Sequence, residues 1–149
     1  RGRARTSGGY TSGSGGLVEA VAVIGELSQL EIWRQFHFAS SENTGFAADS
    51  SDFDGDGVAN LLEFAFNLIP TQSTSCQIPQ AQMGSGELFY SFTEPGGVSG
   101  VTYGVEWSTT LCANDWHDVP DTGSAQQHHF SVPLEGTTSL FMRLKVTSP

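Results

Sequence analysis

Residues 52–63 have the sequence DFDGDGVANLLE, in which three aspartates alternate with other residues and a glutamate closes the run. In a twelve-residue calcium loop, ligands come from positions 1, 3, 5, 7, 9 and 12, and a glycine at position 6 makes the sharp turn between them. Each of these positions carries a suitable residue here, with Gly57 at the turn. The predicted ligands are Asp52, Asp54, Asp56, the backbone carbonyl of Val58, Asn60 and Glu63.

Calcium suits this stretch because it takes six to eight hard oxygen ligands, and four carboxylates packed without a cation would repel one another. The competing interpretation is a solvated acidic turn that caps a helix beginning at Val58. Magnesium is disfavoured because it keeps several waters in most protein sites, and neither a histidine nor a thiol lies at a spacing that suits a transition metal. The six template positions filled in register favour calcium.

Helical periodicity flanks the loop on both sides. Before it, residues 28–38 place apolar side chains on one stripe, and Ser28 with Glu31 predicts a capping box. The stripe consists of Leu27, Leu30, Trp33 and Phe36, with Ile32 beside it. After the loop, VANLLEFAFNLIP (58–70) has apolar residues at helical spacing until Pro70 stops the helix. Residues 28–70 are therefore predicted to be a helix–calcium loop–helix segment.

From residue 71 onward the pattern changes to an alternation of apolar and polar residues. It predicts four strands, at 87–94, 101–109, 128–135 and 139–146, separated by turn clusters such as EPGG and EGTT. Trp107 shares the apolar face of its strand with Val105 and is predicted to be core. The expected fold is α+β and mainly β, with a small antiparallel sandwich or open barrel at 71–149 joined to the two-helix calcium-loop segment.

The first 27 residues differ from the rest of the chain in composition. Residues 1–16 form a Gly/Ser-rich basic arm, and residues 17–27 have apolar side chains on both faces, which predicts a strand buried on two sides. The arm has three arginines and no acidic residue, whereas residues 17–149 have three basic against sixteen acidic residues, a net charge of −13. The residues expected to mediate assembly are Arg1, Arg3, Arg5, Leu17, Val18, Ala20, Val21, Ala22, Val23 and Ile24.

Composition and motifs narrow the function classes. An acidic body repels nucleic acid and anionic lipid, and no apolar run approaches the roughly 20 residues of a membrane span. Cys76 and Cys112 are predicted to form one disulfide in an oxidising compartment, with two unrelated free thiols as the alternative. The sequence has no nucleophile elbow, phosphate loop or zinc motif, so we expect no enzyme. Trp116 is the better candidate for exposure among the tryptophans, and Trp116 with His117 is the candidate platform for a ligand such as a sugar, whereas an ordinary turn histidine is the favoured interpretation of His117 alone.

Residues 28–147 resemble a region found at the C-terminus of many secreted bacterial surface proteins. The loop is similar to the EF-hand-type calcium loops of dockerin and thrombospondin type 3 repeats. The preceding W-R-x-x-x-F helix of that region is matched by Trp33, Arg34 and Phe38, with the last aromatic one place late. Two strands of its β module, Y-x-V-E-x-S-x-x-L and F-x-R-L-x-V, are matched by Tyr103, Val105, Glu106, Ser108 and Leu111 and by Phe141, Arg143, Leu144 and Val146. The resemblance implies calcium and an extracellular or cell-surface location, and little about activity.

Two functions from different classes follow from these features. The leading hypothesis is an extracellular, calcium-stabilised structural subunit that assembles head-to-tail with other copies of itself into a filament or surface layer, by donating its strand at 17–27 to a neighbour's sheet edge. The alternative is a carbohydrate-binding or surface-anchoring module of a larger secreted bacterial protein. Because calcium sensors pair two loops and this chain has one, the ion is expected to be structural.

Overall fold

The computed structural model describes residues 25–136 and 138–149. The predicted arm at 1–16 and residues 17–24 of the predicted donor strand lie outside the described residues, and so do all of the predicted assembly residues. Residues 25–27, the described end of that predicted strand, belong to no helix or strand. Among the described residues, none of the helices has the length and hydropathy needed to cross a membrane.

Helix α1 spans Gln29–Phe38 and begins with the predicted capping box. The Ser28 hydroxyl accepts a hydrogen bond from the backbone N–H of Glu31, and the Glu31 carboxylate accepts one from the backbone N–H of Ser28. These two bonds satisfy N–H groups that have no partner inside the helix. The helix ends at Ala39, whose left-handed backbone (φ 58°) terminates the helical turn.

The buried face of α1 differs from the predicted apolar stripe. Leu30 is buried, but Phe36 is 83% exposed and Ile32 is 55% exposed. Arg34, one turn after Leu30, is buried instead, because its guanidinium forms an ion pair with Asp49 at 2.5 Å. The ion pair therefore helps to decide which face of the helix turns inward.

Helix α2 spans Asn60–Ala65 and is shorter than the predicted helix. Asn67 adopts the left-handed conformation (φ 54°), its N–H donates to the carbonyl of Phe64, and the N–H of Leu68 donates to the carbonyl of Glu63. This is a Schellman closure with asparagine at the left-handed position. The helix thus ends five residues before Pro70, which was predicted to stop it.

Within the described part of the chain, six strands form two antiparallel three-stranded sheets, so the fold is α+β and mainly β, as predicted. The first sheet has the order β1–β2–β5 and the second the order β4–β3–β6. The four long strands are those predicted from alternation, whereas β1 and β4 were not predicted. The bounds are Gln82–Gly84 for β1, Glu87–Thr93 for β2, Thr102–Ser108 for β3, His117–Asp118 for β4, Gln127–Pro133 for β5 and Phe141–Thr147 for β6.

One hydrophobic cluster draws residues from both sheets. Its buried members are Tyr90 of β2, Val105 of β3, Phe130 of β5 and Val119, which directly follows β4. Partly buried residues of the same strands and of β6 pack against it: Phe92, Trp107, Val132, Met142 and Leu144. Trp107 therefore contributes to the core, as its alternation with Val105 predicted.

Aromatic residues join the helical segment to the strands. The hydroxyl of Tyr103 on β3 donates to the backbone carbonyl of Ala65 at 2.5 Å, at the end of α2. The ring of Phe66 lies 5.4 Å from that of Phe92 and 5.5 Å from that of Tyr103. Burial, with a smaller effect from the nearby Glu94 carboxylate, raises the pKa of Tyr103 to about 12. These contacts fix the end of α2, and hence the aspartate loop before it, against the β module.

Candidate metal centre

The aspartate loop gathers its three acidic side chains. One carboxylate oxygen from each of Asp52, Asp54 and Asp56 lies within 4.8 Å of the others. Gly55 (φ 78°) and Gly57 (φ 92°) adopt backbone conformations that L side chains rarely adopt, and they turn the chain so that alternate side chains converge. The structure therefore brings three of the predicted ligands together.

Backbone amides of the loop orient these carboxylates. The two carboxylate oxygens of Asp52 accept hydrogen bonds at 2.8 Å from the N–H groups of Gly55 and Gly57. One oxygen of Asp54 accepts from the N–H of Asp56 at 3.1 Å. Its other oxygen is buried and has no hydrogen-bond partner. An anion that lacks a donor in such a position is suited to a cation.

Glu63 supplies the fourth carboxylate, from the first turn of α2. Its side chain is 1% exposed, and its Oε2 has no hydrogen-bond partner. Burial raises the pKa of Glu63 to about 7, with further contributions from the negative charges of Asp54, Asp56 and Asp52. The glutamate at loop position 12 therefore faces the aspartates, and its charge needs a positive partner.

Asn60 and Val58, the other two predicted ligands, are both buried. The side-chain amide of Asn60 donates to the carbonyls of Phe46 and Ala48, each at 2.8 Å, while its Oδ1 has no hydrogen-bond partner. Val58 donates its N–H to Asp56 at 2.9 Å. Asn60 thus ties the loop to the segment before it and still has one free acceptor oxygen.

Asp56 makes a contact that the sequence did not predict. One of its oxygens accepts hydrogen bonds from the backbone N–H groups of Thr74 and Ser75, at 2.5 and 2.7 Å. Burial acts to raise the pKa of Asp56, but hydrogen bonds from Thr74, Val58 and Ser75 hold it below its ordinary value. Residues 71–75 (TQSTS) carry no periodicity that would place them beside the loop.

The position of α1 relative to the loop depends on Asp49. Its carboxylate accepts hydrogen bonds from Arg34 at 2.5 Å and from the side-chain amide of Asn43 at 2.9 Å. Its backbone carbonyl accepts from the N–H of Leu61 in α2 at 3.1 Å. One residue therefore connects both helices to the segment that leads into the aspartate loop.

The predicted ligand platform is partly covered. Trp116 is half-buried, and the guanidinium of Arg143 lies 3.9 Å from the centroid of its ring. His117 is exposed, lies 3.6 Å from the Asp115 carboxylate and has its ring centroid 5.1 Å from that of Trp107. Arginine on one ring face leaves Trp116 less surface for a sugar than an open platform has.

The two cysteines do not form the predicted disulfide. Cys76 and Cys112, both within the described part of the chain, are free and exposed. Cys76 lies in a short helical turn (Ser75–Gln77) after α2, and Cys112 follows β3. The prediction was based on the even number of cysteines, which does not determine whether the two residues lie close together. The alternative, two free thiols, describes the structure.

His128 is a partly buried histidine for which the sequence predicted no role. Its Nδ1 lies 2.6 Å from an oxygen of Asp121, and its Nε2 lies 3.0 Å from an oxygen of Glu94. Its ring stacks on that of Phe130, with centroids 5.8 Å apart. Because a carboxylate occupies each ring nitrogen, the histidine serves to connect β5 with the segments beside it.

The sequence matches no protein-family model, and neither the curated proteins nor the solved structures give a match.

Proposed function

We propose that residues 52–63 bind one calcium ion and that the ion stabilises a non-enzymatic, extracellular structural protein. The observation that carries the proposal is Glu63, a fully buried carboxylate with an unpartnered oxygen beside three aspartates. A buried carboxylate beside three further negative charges is costly unless a cation neutralises it. The candidate ligands present hard oxygens, which calcium prefers, and the loop has its glycine at the turn.

A structural role is supported by what the loop touches. Asp56 is bonded to the chain that leads from α2 to β1, and Asn60 is bonded to the segment before the loop. An ion held by these side chains would therefore fix three segments at once. Calcium sensors instead expose a methionine-rich groove, whereas Met83 and Met142 belong to the strands β1 and β6.

Thermal unfolding with calcium and with a chelator tests the proposal. At a calcium concentration about 100 times the dissociation constant, the ion should stabilise the folded chain by about 2.7 kcal/mol, which raises the unfolding temperature by about 10 °C. Glu63→Gln should lose most of this rise, and Glu42→Gln, which alters an exposed glutamate, should keep it. Equal unfolding temperatures of the wild-type chain in calcium and in chelator would contradict the proposal.

Self-assembly is the second part of the proposed function. Support for it comes from the sequence alone, in the contrast between the basic arm and the acidic remainder and in the two apolar faces of residues 17–24. We expect the full chain to form large species that deletion of residues 1–27 abolishes, as measured by sedimentation and electron microscopy. A concentration-independent monomer before and after the deletion would instead favour the binding or anchoring module.

A further inference from the structure

The linker between α2 and the β module, defined here as residues 71–81, contacts the aspartate loop through consecutive residues. The backbone N–H groups of Thr74 and Ser75 both donate to the same oxygen of Asp56, and the side chain of Ser73 adds a further hydrogen bond to that carboxylate. Backbone donors are fixed by the course of the chain. The carboxylate at loop position 5 is therefore held in place by the linker.

Thr74 also reaches a second carboxylate of the site. It is 6% exposed, and its hydroxyl donates to Oε1 of Glu63 over a long distance of 3.5 Å. The backbone of Thr74 thus contacts the residue at loop position 5, while its side chain contacts the residue at position 12. Asp56 precedes α2, and Glu63 lies in its first turn.

The other end of the linker is attached to the β module. Residues 78–80 share a groove with Tyr90 of β2 and with Met142 and Leu144 of β6, and Asp56, Gly57 and Val58 line the same groove. The backbone of Ala81 forms a hydrogen bond with the hydroxyl of Tyr90, a residue of the core cluster. The linker therefore runs from the aspartate loop to the centre of the β module.

We propose that Thr74 is a positioning residue for the calcium site and that the linker couples occupation of the site to the β module. This inference rests on the calcium site proposed above. Groups that orient metal ligands tune affinity, because they hold the ligand in its binding geometry and carry part of its charge. In return, an ion that fixes Asp56 and Glu63 restrains the linker bonded to them.

Substitution of Thr74 tests its role in positioning. Thr74→Val removes the hydroxyl at Glu63, and calorimetry should show calcium affinity reduced about tenfold. Thr74→Ser retains the hydroxyl and should restore the affinity, and Thr71→Val, at an exposed position of the same linker, should leave it unchanged. A merely structural role would lower the unfolding temperature equally in calcium and in chelator, whereas positioning reduces the difference between the two.

Amide hydrogen exchange tests the coupling without any substitution. The amides of Thr74, Ser75 and Ala81 should exchange about tenfold more slowly in saturating calcium than in chelator, since a fixed Asp56 holds the linker closed. The amide of Thr71, which lies before the contact, serves as the internal reference. Unchanged exchange at Thr74 and Ser75 would overturn the coupling.

The outcomes separate the two proposals. If the wild-type chain binds no calcium, both the site and the role of Thr74 are wrong. If the wild-type chain binds calcium and Thr74→Val binds it equally well, the calcium site stands and only the positioning role fails.

Discussion

Glu63 makes the free energy of unfolding depend on pH when no calcium is bound. Its pKa is about 7 in the folded chain and 4.5 in the unfolded chain, so between these values the folded state holds more protons. In a chelator, the free energy of unfolding should therefore fall as the pH rises from about 5 to 8, by about 3 kcal/mol in total. Urea unfolding at several pH values measures this fall.

Two variants isolate the contribution of Glu63. Glu63→Gln stays neutral at every pH, so its stability in chelator should not fall over this range and should exceed that of the wild-type chain at pH 8. Glu42→Gln should retain the wild-type fall, because Glu42 is exposed. A similar fall in the Glu63→Gln variant would assign the pH dependence to other groups.

At the scale of single residues, the sequence predicts which carboxylates lie together better than it predicts what holds them in place. Spacing predicted that Asp52, Asp54 and Asp56 lie close together, because a short loop brings alternate side chains to one side. Thr74 was not predicted, because it lies 18 residues after Asp56 and contacts it through a backbone amide. Any residue other than proline has that amide, so no residue type marks the position.

At the scale of the helices, the sequence correctly predicted the features that depend only on residues within one turn of each other. The capping box placed the start of α1 at Ser28 because both of its bonds form within one turn. The prediction of which face of α1 turns inward was wrong, because an ion pair between Arg34 and Asp49, 15 residues apart, competes with the apolar stripe. Helix α2 was predicted too long because Asn67 adopts the left-handed backbone conformation that ends the helix, a conformation that glycine adopts more often at helix ends.

Strand length explains which strands the sequence could predict. Seven residues of alternation mark each of β2, β3, β5 and β6. Strands β1 and β4 have three and two residues, too few to show a period. Their positions depend on pairing with β2 and β3, which are already formed by longer patterns.

At the scale of the whole molecule, the pairing of strands could not be predicted. The two long pairs, β2 with β5 and β3 with β6, both join strands that are not consecutive in the chain. Alternation specifies which face of a strand is apolar, and several partners satisfy that condition equally well. Closure of the core around residues from both sheets selects among them.

This shared core predicts that one substitution weakens the whole β module. Phe130 is 2% exposed and belongs to the same buried cluster as Tyr90, Val105 and Val119. Its replacement by alanine should lower the free energy of unfolding by about 3–5 kcal/mol. Phe36→Ala removes the same side chain at a position that is 83% exposed and should cost about 0.5 kcal/mol or less. Urea unfolding followed by far-UV circular dichroism measures both.

A destabilisation by Phe36→Ala close to that by Phe130→Ala would mean that a second surface covers Phe36 in solution. If that surface belongs to another copy of the chain, dilution should reduce the destabilisation.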